Sequence, residues 1–413
     1  MLTITPTEAE RIFAADNADA DVRGLALRLK EGADFRPKFV LQQIAGRQMM
    51  RRKMPLWASN PDIVFPVHLS VEQCSSEFTA NYKRGILERL CKDFYGKKFA
   101  DLTGGFGVDF SVMSRGFSQA FYVERNEELC EIARHNFAAL KLQNCEVING
   151  DGVDFLRGFD ANNNGRFGAI FIDPARRNVA GGKTVHIADC EPNVIDFQDV
   201  LLEKSDVIII KLSPMLDLAE CLLKLKNIAE IHVVASDGEC KEILVVITPK
   251  NKNGEPQIFA VNNNQIFSYL KSDEQKCAAS IAAMVGEGMY LYEPNAAIMK
   301  AAPFRLVATR YNLMKISANS HLYVSDTVVE DFPGRMFKIV KIGTTKDFKH
   351  IEKANIAVRN FPIKAEELRK KLKIKDGGDI YIFATTLADG SKILIETRKL
   401  LSLRKILEDD NGQ

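Results

Sequence analysis

The sequence predicts an α/β protein: a largely parallel sheet covered on both faces, preceded by a helical domain and followed by an α+β region. Three observations carry that prediction. Between 99 and 235, short apolar runs alternate with helical stretches, the pattern of strand–helix–strand units. Residues 1–95 show mainly helical periodicity. Beyond 331, strand-like runs surround a basic helix and end in a hairpin signal. The domains expected are 1–96, helical; 97–270, the α/β domain; 271–330, a small linking α+β domain of ferredoxin-like character; and 331–400, a second α+β domain.

In chain order, Thr7 followed by Glu8 and Glu10 marks a helix start. Leu25, Leu27 and Leu29 alternate as a strand would, inside a helical context. Phe39–Met50 is helical, Trp57, Pro61 and Phe65-Pro66 mark a turn-rich connection, and Ser75–Leu90 is helical again. Strands follow at Phe99–Leu102, Gln119–Val123, Cys145–Ile148, Ala169–Ile172, Val207–Ile210 and Ile231–Ala235, with helices at Glu127–Leu142 and Leu216–Leu225. Lys241–Thr248 and Gln257–Val261 read as antiparallel strands at an edge or leading out of the domain. Met284–Leu313 reads as largely helical, broken at Pro294 and Pro303. Strands at Leu322–Val324, Arg335–Val340 and Ile356–Arg359 precede a basic helix at Ala365–Leu372. Asp379–Thr385 and Lys392–Thr397 form a hairpin around Asp389-Gly390.

The 413 residues carry a formal charge of +2, so total charge does not mark a polyanion binder. Its distribution is uneven: Arg23–Lys53 holds nine basic and two acidic residues, and Asp331–Lys399 sixteen and nine. The eight cysteines form no CxxC pair, and the first residues have neither a basic nor an apolar leader segment; reduced thiols in the cytoplasm are expected. Apolar runs are too short to span a bilayer. The six histidines are scattered and no metal site is expected.

The strongest functional signal is Asp101-Leu102-Thr103-Gly104-Gly105-Phe106-Gly107-Val108-Asp109, a glycine-rich turn between a strand and a helix. The second strand ends at Val123-Glu124, where an acid suits a ribose diol. The third leads to Asp151-Gly152 and the fourth to Asp173-Pro174-Ala175-Arg176-Arg177. Successive parallel strands bring these termini to one rim, although each acid alone would also serve as a helix cap. The glycine spacing differs from GxGxxG, and a P-loop's GKS/T ending is missing, which disfavours a nicotinamide or nucleoside-triphosphate site.

These motifs resemble those of class I S-adenosylmethionine-dependent methyltransferases. Glu72–Lys83, Asp173–Arg177, Tyr292-Glu293-Pro294-Asn295, Arg359-Asn360-Phe361-Pro362 and Asp376-Gly377-Gly378-Asp379 are similar to a bacterial methyltransferase family with a THUMP-like C-terminal domain. The resemblance implies a Rossmann-like seven-stranded sheet and S-adenosyl-L-methionine as cofactor. It places Asp101, Thr103, Gly104, Gly105, Phe106 and Gly107 at the methionine part, with Asp101 beside its amino group. Glu124 and Arg125 fall at the ribose, Asp151 and Gly152 at the adenine, and Asp173 at the reacting end. THUMP domains in RNA-modifying enzymes imply an RNA partner here, a tRNA or rRNA.

Asp173 and Pro174, with Lys211 and Ser213 after the fifth strand, are the expected catalytic residues. A ring nitrogen or exocyclic amine is the expected nucleophile. Pro174 is followed by Ala175-Arg176, so no aromatic residue stands where many amine methyltransferases stack a base. Ile210–Asp217 offers Ser213 and no cysteine, which disfavours covalent attack on a pyrimidine. Arg176, Arg177, Arg359, Arg369, Lys370 and Lys371 are the expected substrate contacts, to phosphates. Methylation of a protein or small molecule, or an inactive RNA-binding protein, remain the alternatives.

Overall fold

Thr7 caps helix α1 (Glu8–Asp16): its hydroxyl accepts from the Glu10 amide and Glu10 accepts from the Thr7 amide. Glu10 also accepts from the Arg36 amide and Nε, both at 2.8 Å, which ties α1 to the start of α2 (Pro37–Lys53). The computed structural model describes residues 4–30, 32, 35–91, 93–176, 186–251 and 254–400. Two units divide the chain: Met1–Glu230 with Ile243–Gly254, and Ile231–Glu242 with Glu255–Gln413.

Before the sheet of the first unit, the leucine alternation at 25–29 does not make a strand; a single helical turn, Val22–Ala26, lies there under an Asp21 cap. The connection at 55–73 contains two short helices, and Trp57 and Phe65 are fully buried in it. Gly46 of α2 has no room for a side chain, since a Cβ would stand 2.5 Å from Phe65. Helix α3 (Glu77–Leu90) starts at a Ser76 cap and buries Thr79, Ala80, Lys83, Ile86 and Leu87, one face at helical spacing.

The sheet follows, with β1 (Lys98–Asp101), β2 (Gln119–Glu124), β3 (Cys145–Asn149), β4 (Phe167–Ile172) and β5 (Ser205–Leu212). Its helices are α4 (Val108–Met113), α5 (Glu127–Ala139), α6 (Gly152–Gly158), α7 (Gln198–Lys204) and α8 (Leu218–Lys224). All six residues of β4 are buried, as a strand covered on both faces requires. The strands run parallel in the order β3-β2-β1-β4-β5. Register aligns Asp101 with Tyr122 and Phe171, Glu124 with Asn149, and Ile172 with Ile210. The carboxyl ends therefore share one rim, and the order reverses between β1 and β4, where open α/β sheets bind ligands.

Strand β6 (Ile228–Ser236) forms as expected, but it does not stand beside β5. That place is taken by β7 (Glu239–Ile247), whose Ile243–Ile247 runs antiparallel to Ile208–Leu212. Asp237-Gly238, both at positive φ, turns the chain straight back into β7, whose antiparallel direction is as read.

In the second unit, β8 (Gln257–Asn262) and β9 (Gln265–Leu270) form a hairpin. A separate sheet contains β10 (Tyr290–Pro294), β11 (Tyr323–Ser325), β12 (Gly334–Gly343), β13 (Asn355–Arg359), β14 (Ile380–Thr386) and β15 (Lys392–Lys399). Its order is β11-β10-β12-β15-β14-β13, with Met314–Lys315 outside β11 and β13-β14 the parallel pair. Residues 284–313 are thus not largely helical. Tyr290–Pro294 is an inner strand between Gly288, at φ +86°, and the helices α9 (Ala296–Ala301) and α10 (Phe304–Arg310), whose alanine-rich sequence carried the helical signal. The basic helix α11 (Ala365–Leu372) and the hairpin at Asp389-Gly390 form as read.

Candidate active site

The turn after β1 is built by two different demands on glycine. A Cβ at Gly104 would stand 2.3 Å from the Tyr122 ring, and one at Gly107, where φ is +85°, would stand 2.9 Å from Phe137. These two let the turn lie against the sheet. Gly105, at φ +57°, has free space around it beyond Thr103 O at 3.8 Å. Its amide donates to Glu124 Oε2 at 2.8 Å, joining the ends of β1 and β2. Phe106 faces the other way: its ring is buried edge-on to Trp57 at 5.0 Å, so only its backbone borders the rim.

Asp101 is 1% exposed, and its Oδ1 accepts from the Thr103 amide at 3.0 Å. Burial pushes its carboxyl well above the ordinary range, and nearby Asp109, Asp173 and Glu124 add to the rise. The Thr103 hydroxyl accepts from the Asp173 amide at 2.6 Å, which fixes the end of β4 to the turn after β1.

Glu124 Oε1 accepts from the Asn126 amide at 2.8 Å, so both of its oxygens carry one backbone bond each. Arg125 bridges Asp151, at 2.7 Å through Nε, and Glu191, at 2.8 Å. Asp151 Oδ1 caps α6 through the amides of Val153 and Asp154. Burial works to raise its carboxyl, but the Asp154 amide and Arg125 outweigh it and hold it below the usual range. Packing requires glycine at 152, since a Cβ would stand 2.1 Å from Leu102 O.

At the end of β4, Asp173 Oδ2 lies 2.6 Å from Lys211 Nζ, and Lys211 lies 3.6 Å from Asp109 Oδ2. Asp109, in the first turn of α4, accepts from Ser75 Oγ at 2.7 Å and pairs with Lys83 at 3.2 Å. Lys83 is fully buried and donates also to Ser75 Oγ at 3.3 Å. Burial would raise the Asp109 carboxyl; Lys83 and Lys211 reverse this and keep it below its ordinary value. Charges thus alternate from Lys83 through Asp109 and Lys211 to Asp173. The strap carrying Ser75 is tied down by Lys53, whose Nζ donates to the carbonyls of Val71 and Cys74 at 3.2 Å.

Pro174 is buried, and Ser213 Oγ accepts from the Met215 amide at 3.3 Å, which shapes the turn after β5. Ala175–Arg176 pairs with Cys190–Glu191 as a two-residue ribbon. Arg177 and residues 178–185, most of the Asn178–Glu191 insertion, lie outside the described residues. In the second unit, Arg359 pairs with the buried Glu293 at 2.7 Å and Arg369 with Asp376 at 2.5 Å. These two arginines are committed to structural pairs, whereas Lys370 and Lys371 are exposed.

Asp109 closes the glycine-rich motif and Lys83 the Glu72–Lys83 segment, but the sequence does not show that the two pair. An acid in a helix's first turn reads as a dipole partner. Lys83 did leave a signal: it falls on the apolar stripe of α3, between Ala80 and Ile86, where a lysine needs a buried acid.

The turn region gathers Asp101, Asp109, Glu124 and Asp173 against Lys83 and Lys211, an excess of carboxyl groups. That balance fits a ligand bearing ammonium and sulfonium charges, with Glu124 available to a sugar diol. The residues therefore fit S-adenosyl-L-methionine. Among the described residues, no helix is long and apolar enough to cross a membrane, and no group of three or more His, Cys, Asp or Glu is placed to hold a metal ion.

A parallel sheet whose strand order reverses between β1 and β4 beneath such a turn defines a class I nucleoside-cofactor fold. Residues 79–195 match the family described as conserved hypothetical protein 95, residues 290–333 a ferredoxin-like domain, and residues 334–399 a THUMP domain-like family. No curated protein matches. Among solved structures, a Porphyromonas gingivalis W83 protein named as a methyltransferase is 34% identical, with a TM-score of 0.81 over 95% of this chain and 98% of that one. Streptococcus mutans SMU.1697c, solved in complex with SAH, is 11% identical, with a TM-score of 0.31 over 41% of this chain and 96% of that one. Escherichia coli yhhF is 16% identical, with a TM-score of 0.28 over 41% and 85%. Only the first of these structures bears on the present protein. The chain belongs to its family, class I S-adenosylmethionine-dependent methyltransferases fused to a THUMP-like C-terminal domain.

Two outcomes follow for the unliganded protein. A carboxyl raised by burial holds its proton longer when folded than when unfolded. Stability is therefore lost as pH rises from the unfolded value, about 3.9, toward the raised folded one, at about 1.4 kcal/mol per pH unit. Asp101→Asn removes that loss, so its melting temperature should gain on wild type progressively above pH ~4. A difference independent of pH would contradict the assignment. Lys83→Met removes the nearer of the two ammonium partners of buried Asp109 and should cost about 3 kcal/mol in urea unfolding, whereas Lys83→Met with Asp109→Leu should recover part of it. Additive losses would show that the two residues are not a pair.

Proposed function

We propose that the protein methylates a ring nitrogen or exocyclic amine of a structured tRNA or rRNA. The observation that carries the reading is Asp173, held 2.6 Å from Lys211 and fixed through its amide to Thr103, at the rim where the methyl group would be presented. The cofactor supplies an electrophilic methyl group on a positively charged sulfur. What this chain must add is a nucleophile in line with it, and positioning of that kind supplies much of the rate.

Asp173 has the chemistry to accept an N–H of the attacking amine and align its lone pair. Lys211 neutralises Asp173 before substrate arrives and yields part of that carboxylate to the incoming donor. Asp109 keeps Lys211 from following, because its Oδ2 lies 3.6 Å from the same ammonium. Ser213 spends its oxygen on the turn after β5 and is no thiolate, which supports direct transfer to nitrogen over covalent attack on a ring. Burial of Pro174 stiffens the segment that carries Asp173.

An RNA substrate is supported by the THUMP domain-like match over 334–399 and by its basic helix. Lys370 and Lys371 are the phosphate contacts of choice there, since Arg359 and Arg369 already serve Glu293 and Asp376.

The test is tritiated methyl transfer from S-adenosylmethionine into fractionated RNA from cells lacking the protein. Label should enter one RNA fraction, and Asp173→Ala should lower the rate by about 10²-fold or more. Label entering protein or metabolites in place of RNA would overturn the substrate class. An undiminished Asp173→Ala rate would overturn the role of that acid.

A further inference from the structure

The second unit holds a cleft outside the methyl-transfer site. Thr344 and Thr345 follow β12, Phe361–Ile363 follow β13, Lys371 lies on α11, and Lys392 and Leu394 lie on β15; together they line a cavity of about 240 Å³. The walls are apolar. Phe361 and Ile363 are partly buried and pack against the cluster that contains Leu368, Leu372 and Leu394. The rim is basic. Lys371 and Lys392 are exposed, and neither forms an ion pair among the described residues. The acid beside the cleft, Asp347, is occupied by the Thr344 amide and hydroxyl at 2.8 and 2.9 Å.

Two ammonium groups without partners above an apolar wall with one aromatic ring suit a flat group that carries phosphates. A paired base cannot enter such a cleft, because its faces are covered by stacking and its edge by its partner. A single-stranded segment brings the base and the phosphates on either side of it together. We propose that this cleft takes one unstacked nucleotide of single-stranded RNA, its base against Phe361 and Ile363 and its phosphates at Lys371 and Lys392. The inference rests on the RNA reading above and narrows it to substrates with an unpaired segment.

The experiment uses the full chain and a 4-thiouridine-labelled single-stranded oligonucleotide of about eight residues. Photocrosslinks should map to the peptide containing Phe361–Ile363. Lys371→Ala with Lys392→Ala, both exposed positions, should leave the melting temperature unchanged. That double variant should weaken binding about tenfold near 0.1 M salt and flatten the log–log salt dependence by about 1.4. Phe361→Leu, which keeps the apolar packing and removes the ring, should weaken binding without changing the salt slope. Four results would each overturn the proposal: crosslinks elsewhere, equal binding of a duplex, equal competition by polyglutamate, or UMP binding as tightly as the oligonucleotide. None of these readouts uses methyl transfer. RNA methylation with crosslinks elsewhere would sink the cleft alone; crosslinks at Phe361 without RNA methylation would sink the enzymatic reading alone.

Discussion

A lysine with no exposed surface dictates much of the first unit. Taking the Lys83 ammonium out of water costs several kcal/mol unless a carboxylate lies against it, and Asp109 does so at 3.2 Å, with Ser75 Oγ accepting from the same ammonium at 3.3 Å. Asp109 stands one residue beyond Gly107-Val108, so the pair fastens α3 to the helix that leaves the glycine turn. Lys211 then shares Asp109 with Lys83 and holds Asp173 on its other side. One chain of charges thereby sets the spacing of α3, the glycine turn, β4 and β5 at the rim. The ordering of Asp173 is a consequence of packing that begins on the far side of the turn.

The same economy applies to the glycines. Gly104, Gly107 and Gly152 are fixed by what lies against them, namely Tyr122, Phe137 and the Leu102 carbonyl. They let the turn press onto the sheet, and they would be needed for that reason even without a ligand. Gly105 differs: positive φ, open space and an amide aimed at Glu124 make it the part of the turn that a ligand can approach. Asp101 has the opposite character, a buried acid raised by its surroundings and stabilised by any positive charge that arrives above it.

Legibility followed from whether a signal was local. The parallel strands could be read because each is an apolar run, and the rim acids because each follows such a run directly. The antiparallel direction of β7 could be read as well, but its place beside β5 could not, since an apolar run does not name its neighbour. Tyr290–Pro294 reads as helix because the alanines after it dominate the window, although Tyr-Leu-Tyr is strand-forming. Lys83 and Asp109 are 26 positions apart in sequence, and composition alone does not join them. Arg359 and Arg369 show the converse: charge identified them, but the acids that claim them, Glu293 and Asp376, decide what they do. Phe106 likewise sits inside the motif and serves the core beside Trp57.

Everything proposed for the first unit depends on the rim at Gly105 and Glu124 receiving a sulfonium nucleoside. A crystal structure of the protein with S-adenosylhomocysteine tests this most directly. The account predicts ribose hydroxyls on the Glu124 carboxylate, the amino-acid end over Gly104 and Gly105, and the sulfur directed toward Asp173. A nucleoside bound away from the β1–β2 rim, or with its sugar turned from Glu124, would contradict it.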